Sequence, residues 1–207
     1  MQLTERQGDA ISELINIAFA RTGAALSELT GHRVMLDAPE VSVHPTPGLP
    51  AALAKFVPGE VASIHQVFGG PIAGDALLLL NHDGAVRLTD LLTDEPAPSS
   101  RLDESAREVL TEVGNILLNA CLGMFGNLLD VRVSFSVPRL HLESLDELLG
   151  SLNDTDAGEP QYALVIYTAF QIRDSAVRGF LVMVLSVTSL DRLIHEVESW
   201  EERQGES

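Results

Sequence analysis

The feature that most constrains this chain is that it repeats itself. Sliding the 207-residue sequence by 99 positions aligns Leu3–Val41 with Leu102–Leu140 without a gap. The identities are Leu3/Leu102, Glu5/Glu104, Glu13/Glu112, Asn16/Asn115, Ile17/Ile116, Leu29/Leu128, Arg33/Arg132, Val34/Val133 and Pro39/Pro138. Asp9/Glu108, Ile11/Leu110 and Ser12/Thr111 are conservative pairs between them. Further on the offset grows to 105, as in Gly74/Gly179, Leu80/Leu185, Arg87/Arg192 and Leu88/Leu193, which one insertion near Leu145–Gln161 would explain. Polar identities three residues apart, in register with an apolar pattern, identify an internal duplication. Such a chain builds one half-structure twice and must then bury two equivalent apolar faces.

Each half reads alike. Over residues 5–29, Ile11, Leu14, Ile15, Ala18, Leu26 and Leu29 recur at helical spacing, with Thr4 and Gln7 as a capping box and Gly31 as the stop. The equivalent helix, 104–128, carries Val109, Leu110, Val113, Leu117 and Leu118 behind Asp103 as N-cap. A strand follows (Arg33–Val43 and Val131–Leu142), then a hairpin (Val61–Phe68 with Asp75–Leu80, Tyr162–Ile172 with Gly179–Ser186), then a helix (Gly84–Leu92 and Leu190–Trp200). Runs of helix and strand without strict alternation predict an α+β fold. The expected architecture is two α-β-β-β-α halves sharing one antiparallel sheet, with the long helices packed on it. The expected organisation is a single domain over 1–207, with repeats at 1–95 and 101–200, a Pro/Ser joint at 93–100 and a frayed tail at 201–207.

Composition narrows the function classes. The net charge is −17, divided as −7 over residues 1–100 (5 basic, 12 acidic) and −10 over 101–207 (8 basic, 18 acidic). So acidic a chain repels phosphate backbones, and neither nucleic acid nor an anionic membrane is an expected partner. The longest apolar runs, Ala76–Leu80 and Phe180–Leu185, fall far short of the ~20 residues that span a bilayer. The polar N-terminus lacks a signal-peptide core, and the single Cys cannot form an internal disulfide. A cytoplasmic location is expected.

The chemistry-bearing residues lie on the two long helices. Glu and Asn at i and i+3 sit about 60° apart on the helical wheel and point the same way. That face runs Asp9, Glu13, Asn16, Ala20, Gly23, Ser27 in one copy and Glu108, Glu112, Asn115, Asn119, Gly123, Gly126 in the other. Asparagine competes for backbone hydrogen bonds and is a poor helix former, so its presence mid-helix, twice, at one register, asks for a reason. The pattern alone leaves two readings: solvent-facing residues inherited from a duplicated ancestor, or a site that the small residues beyond Asn let another surface approach.

The arrangement Asp9-x3-Glu13-x2-Asn16-x22-Pro39, echoed as Glu108-x3-Glu112-x2-Asn115-x22-Pro138, resembles the signature of the CheC/CheX/FliY phosphatases, which dephosphorylate the chemotaxis response regulator CheY. The resemblance covers nearly all of the chain. The duplication, and the lack of a FliY-like motor-binding extension, make it most similar to CheC within that family. The family pattern prefers Asp or Ser at the first position, so the first helix matches better than the second, which has Glu108.

The resemblance implies a phosphatase for the phosphoaspartate of a CheY-type receiver. Asn16 and Asn115 would orient an in-line water, Glu13 and Glu112 would pair with the receiver's Lys, and Asp9 and Glu108 would assist docking. No metal or cofactor of its own is implied, since Mg²⁺ would arrive with the receiver, and CheD is an implied partner. The alternative from another class is a binding module that docks phosphorylated receivers, or a CheD-like deamidase, without catalysis. A third is a degenerate scaffold, in which both Asn side chains would be consumed by internal hydrogen bonds. A monomer is expected, with a homodimer through a sheet edge as the competing state.

Other signals carry less. The six His (32, 44, 65, 82, 141, 195) have no helix-ligand spacing and, with one Cys, no zinc pattern. Cys121, four residues beyond Leu117, reads as a buried structural thiol. Phe68–Gly74 is Gly-rich but lacks the Lys-Ser/Thr of a phosphate loop and reads as a turn. Pro39 and Pro138 read as shaping a strand.

Overall fold

Both long helices start on a side-chain cap and stop on a left-handed residue, as their flanking residues predict. The computed structural model describes residues 3–54, 60–93, 102–153, 161–172 and 175–205. Helix α1, Glu5–Thr30, opens on a capping box between Thr4 and Gln7 and closes at Gly31 with φ 68°. Helix α4, Glu104–Leu129, opens where the Asp103 side chain accepts from the Ala106 N–H at 2.9 Å, and closes at Asp130 with φ 56°. Between and after them lie β1 (Val34–Leu36), β2 (Glu40–Pro45), α2 (Leu49–Leu53), β3 (Glu60–Gly69), β4 (Gly74–Asn81) and α3 (His82–Thr93). The second half continues with β5 (Ser134–Phe135), β6 (Arg139–Ser144), α5 (Leu145–Asn153), β7 (Gln161–Ile172), β8 (Ser175–Ser186) and α6 (Val187–Gly205).

The fold is α+β, with an eight-stranded antiparallel sheet in the order β1-β7-β8-β4-β3-β5; β2 also pairs with β7 and β6 with β3. The leading strands of each half thus pair with the hairpin of the other half. The halves are interlocked through one continuous sheet rather than strung as beads. Hydrogen bonding repeats across them. The Asp37 N–H donates to the Ala169 carbonyl and the Ser136 N–H to the Val67 carbonyl. Asp37 and Ser136 are 99 apart, Val67 and Ala169 102 apart.

Several expectations need correcting. Each half reads α-β-β-α-β-β-α, because the expected long strand breaks at Asp37–Pro39 and at Ser136–Pro138, and a short helix precedes each hairpin. Proline lacks the N–H a ladder needs, so Pro39 and Pro138 sit at the bend, just before β2 and β6. The length difference does not enter at one point. Strands β3 and β7 correspond at 102 residues, whereas α3 and α6 begin 105 apart. The expected insertion at Leu145–Gln161 contains α5, the counterpart of α2. The tail expected to fray is helical through Gly205, because the Glu201 carboxylate pairs with Arg6 at 2.9 Å and Trp200 is buried in the core. Most of the joint expected at 93–100 lies outside the described residues.

The main core lies between one sheet face and α1, α3, α4 and α6; it contains Ile11, Leu14, Phe19, Ile64, Leu80, Leu118, Ile166 and Leu193. A smaller cluster on the other face is roofed by α2 and α5 through Leu49, Leu53, Leu145 and Leu148. With both faces covered, the central strands read as continuous apolar runs, Ala76–Leu80 in β4 and Phe180–Leu185 in β8. Among the described residues, α4 is long and apolar enough to match a membrane span by length and composition. Its apolar side chains Leu110, Val113, Leu117, Leu118 and Leu122 belong to the core.

Helices α1 and α4 meet on one another. Where they touch, Thr22 faces Cys121 at 3.7 Å, two positions 99 apart in the sequence. Cys121 is the buried thiol its spacing predicts. Burial pushes its pKa up to about 12, against a smaller opposing effect of the Thr22 contact.

Candidate functional site

Burying Ile11, Leu14, Ile15, Ala18 and Phe19 against the sheet turns the opposite side of α1 outward. Asp9, Glu13, Asn16 and Ala20 are all exposed there. Asn16 makes no side-chain hydrogen bond to any described residue, so both ends of its carboxamide remain for a ligand. The face closes at Gly23, where an added Cβ would lie 3.0 Å from the Val34 carbonyl oxygen. The Ser27 hydroxyl there donates to the Gly23 carbonyl at 2.7 Å and accepts from the Val34 N–H at 2.9 Å. The small residues beyond Asn16 thus admit the chain's own β1, not a foreign surface.

On α4, Glu108 and Glu112 are exposed but Asn115 is half-buried. Its Oδ1 accepts from Asn119 Nδ2 at 2.6 Å. Asn119 Oδ1 in turn accepts from Gln66 Nε2 at 3.0 Å, and Gln66 Nε2 also donates to the Ser136 carbonyl at 2.8 Å. The two faces are therefore unlike. Both pairs keep the i, i+3 spacing on their helices, but only Asn16 keeps both ends of its carboxamide without an internal partner among the described residues.

The difference starts in packing. Gly114, 99 positions after Ile15, lets α4 come so near β3 that an added Cβ would stand 2.6 Å from Ile64 Cγ2. Gln66 is two residues along the same strand face from Ile64 and reaches Asn119. At the register of Asn119, α1 has Ala20; at the register of Gln66, β7 has Thr168, whose hydroxyl donates to the Asp37 carbonyl at 3.0 Å. Neither can hold Asn16. Asn119 lies on the face that the helical spacing marks, whereas Gln66 is not legible as a site residue; its one signal is a Gln at a core-facing position between Ile64 and Phe68.

Among the described residues no group of three or more His, Cys, Asp and Glu could hold a metal ion. The nearest such clustering is on the other sheet face, where His65 Nε2 meets Asp75 at 2.7 Å and the His65 and His141 rings stand 6.3 Å apart. A cavity of about 370 Å³ on that face is lined by Val41, Ser42, His44, Leu53, Tyr167 and Phe180, away from the Glu–Asn faces.

No family model matches the chain. It is 25% identical over 151 residues to the flagellar motor switch phosphatase FliY of Bacillus subtilis (strain 168), a match covering 72% of this chain and 39% of that protein. The chain thus spans about two fifths of its curated relative's length. Among solved structures, FliY of Thermotoga maritima shares the fold with a TM-score of 0.79 at 18% identity, over 97% of this chain and 100% of that one. The FliM middle domain of H. pylori shares it with a TM-score of 0.67 at 9% identity, over 94% and 99%. The curated match bears the name FliY and not CheC. The chain is thus similar in sequence to a FliY phosphatase and shares its fold with FliY and with the FliM middle domain.

Proposed function

We propose that the chain is a duplicated, CheC-type phosphatase that hydrolyses the phosphoaspartate of a CheY-type receiver, and that the α1 face performs the chemistry. The observation that carries this is Asn16: an exposed amide with no internal partner, one turn from the exposed Glu13, on a helix whose other side is locked into the core. The repeated cap positions and strand register support the duplication.

An acyl phosphate already held by the receiver's own Mg²⁺ and Lys needs little more than a water in line with its leaving carboxylate. The Asn16 carboxamide supplies that placement by hydrogen bonding, without acting as a base. The water oxygen forms the new bond to phosphorus as the bond to the aspartyl oxygen breaks. The products are the free carboxylate and inorganic phosphate, and the water's proton passes to phosphate or solvent. Glu13 pairs with the receiver's Lys and fixes the docked helix; Asp9 adds to the same acidic approach. On α4, Glu112 and Glu108 offer equivalent docking charges. The chain needs no metal of its own for this reaction, and a CheD-like deamidase is a second partner within the proposal.

The test is steady-state hydrolysis of a phosphorylated CheY-type receiver in Mg²⁺. Glu13→Gln is expected to raise KM, because it removes docking charge. Asn16→Ala is expected to lower kcat by about 10²-fold, as does loss of one preorganised hydrogen-bonding group at a reacting centre. The competing reading, a module that docks receivers without turnover, draws on the internally bonded Asn115. It is the right one if the wild type binds the phosphorylated receiver yet leaves its lifetime unchanged.

A further inference from the structure

The three amides on the α4 side form a chain with a fixed direction. A backbone carbonyl can only accept, so the Ser136 oxygen decides which end of Gln66 faces it. That end is Nε2, whose other N–H runs to Asn119 Oδ1. Asn119 is left to offer Nδ2, and Asn115 must answer with Oδ1, at 2.6 Å. Turning any one amide over would set oxygen against oxygen or N–H against N–H. The arrangement leaves Gln66 Oε1 buried without a partner, a cost that the alternative would not relieve.

Asn115 thus has its Oδ1 engaged and its Nδ2 without an internal partner among the described residues. An attacking water must direct a lone pair at phosphorus and its O–H at an acceptor. A fixed N–H donor draws electron density from the water oxygen and leaves its O–H without an acceptor, but suits a phosphoryl oxygen well. We propose that Gln66 and Asn119 are positioning residues that latch Asn115 in its donor orientation, so that the α4 face holds a phosphorylated receiver without turning it over. This rests on the phosphatase reading of the α1 face. That face lacks both latch residues, having Ala20 and Thr168 at their registers, and its amide is free to present Oδ1.

The latch is tested by reversing it in an Asn16→Ala background, where any remaining turnover comes from α4. Asn119→Asp is nearly isosteric and cannot donate, so it draws Asn115 Nδ2 inward and turns Oδ1 outward; Asn119→Ala merely frees the amide. Both are expected to raise receiver hydrolysis at least tenfold over Asn16→Ala alone, Asn119→Asp the more, and adding Asn115→Ala is expected to abolish the gain. A simple loss of packing would not give a gain that depends on Asn115. No rise in either variant, with the wild type active, overturns the proposal. If the wild type itself is inactive, the phosphatase reading falls and the non-turnover role falls with it. Side-chain amide NMR then separates the two failures: an Asn115 amide pair unmoved by Asn119→Asp shows that the latch is absent as well.

Discussion

The two Glu–Asn helices of this molecule start from one pattern and end in different states. On α1 the Asn is exposed and unbonded; on α4 it is half-buried and tied through Asn119 and Gln66 to a backbone carbonyl. No signature residue differs between Glu13/Asn16 and Glu112/Asn115. What differs is the support: Gly114 in place of Ile15, Asn119 in place of Ala20, Gln66 in place of Thr168. A motif thus reports which groups are present, whereas the residues behind it decide which atom they present. The same pairing of halves yields three stability comparisons, each between positions 99 apart.

The largest concerns the helix contact, where one half supplies Thr22 and the other Cys121. The thiol's pKa is raised from 9.0 to about 12 in the folded chain. Between those values the unfolded chain loses the proton that the folded chain keeps, so this contribution is intact below about pH 9 and is lost as pH rises toward 12. The slope is about 1.4 kcal/mol per pH unit, or roughly 4 kcal/mol over the window. Cys121→Thr, which makes the contact alike in both halves, is expected to lose about 1.4 kcal/mol less than wild type between pH 8 and pH 10 in urea melts. Equal losses would show that the thiol does not resist ionisation.

Next is the seat of α4 on β3. Gly114→Ala places a methyl 2.6 Å from Ile64 Cγ2 and is expected to cost about 1–3 kcal/mol in urea unfolding. The same helix pushed outward should loosen the Asn119–Gln66 bond, visible as faster exchange of the Asn119 side-chain amide. The smallest effect is at the helix ends. Asp130→Gly gives α4 the left-handed stop that Gly31 gives α1, and is expected to add about 0.5–1 kcal/mol of stability, read as a higher urea midpoint.

The two long helices were legible in the sequence to within a residue, because caps and apolar spacing act locally; α6 runs three residues earlier and five later than its apolar spacing marks, and the short α2 and α5 were not marked. Thr4 with Gln7, Asp103 and Gly31 do in the structure what their chemistry suggests. The hairpins were legible for the same reason. The broken leading strands were marked only by Pro39 and Pro138, and the partners of β1, β2, β5 and β6 in the opposite half were not marked at all. Strand pairing is a contact between distant positions, which periodicity does not encode. The candidate residues Glu13, Asn16, Glu112 and Asn115 stood out because the repeat doubled them. Gln66 did not, because its partner Asn119 lies 53 residues away on another element. The continuation of α6 past the buried Trp200 was missed likewise, since Arg6, which pairs with Glu201, is at the far end of the chain.

The most direct measurement is the decay of a phosphorylated CheY-type receiver in Mg²⁺ with the wild type, Asn16→Ala, Asn115→Ala and the double variant. The account predicts strong acceleration by the wild type, near-complete retention by Asn115→Ala, and a loss of about 10²-fold by Asn16→Ala that the double variant scarcely deepens. Equal losses in the two single variants, or a greater loss in Asn115→Ala, would contradict it.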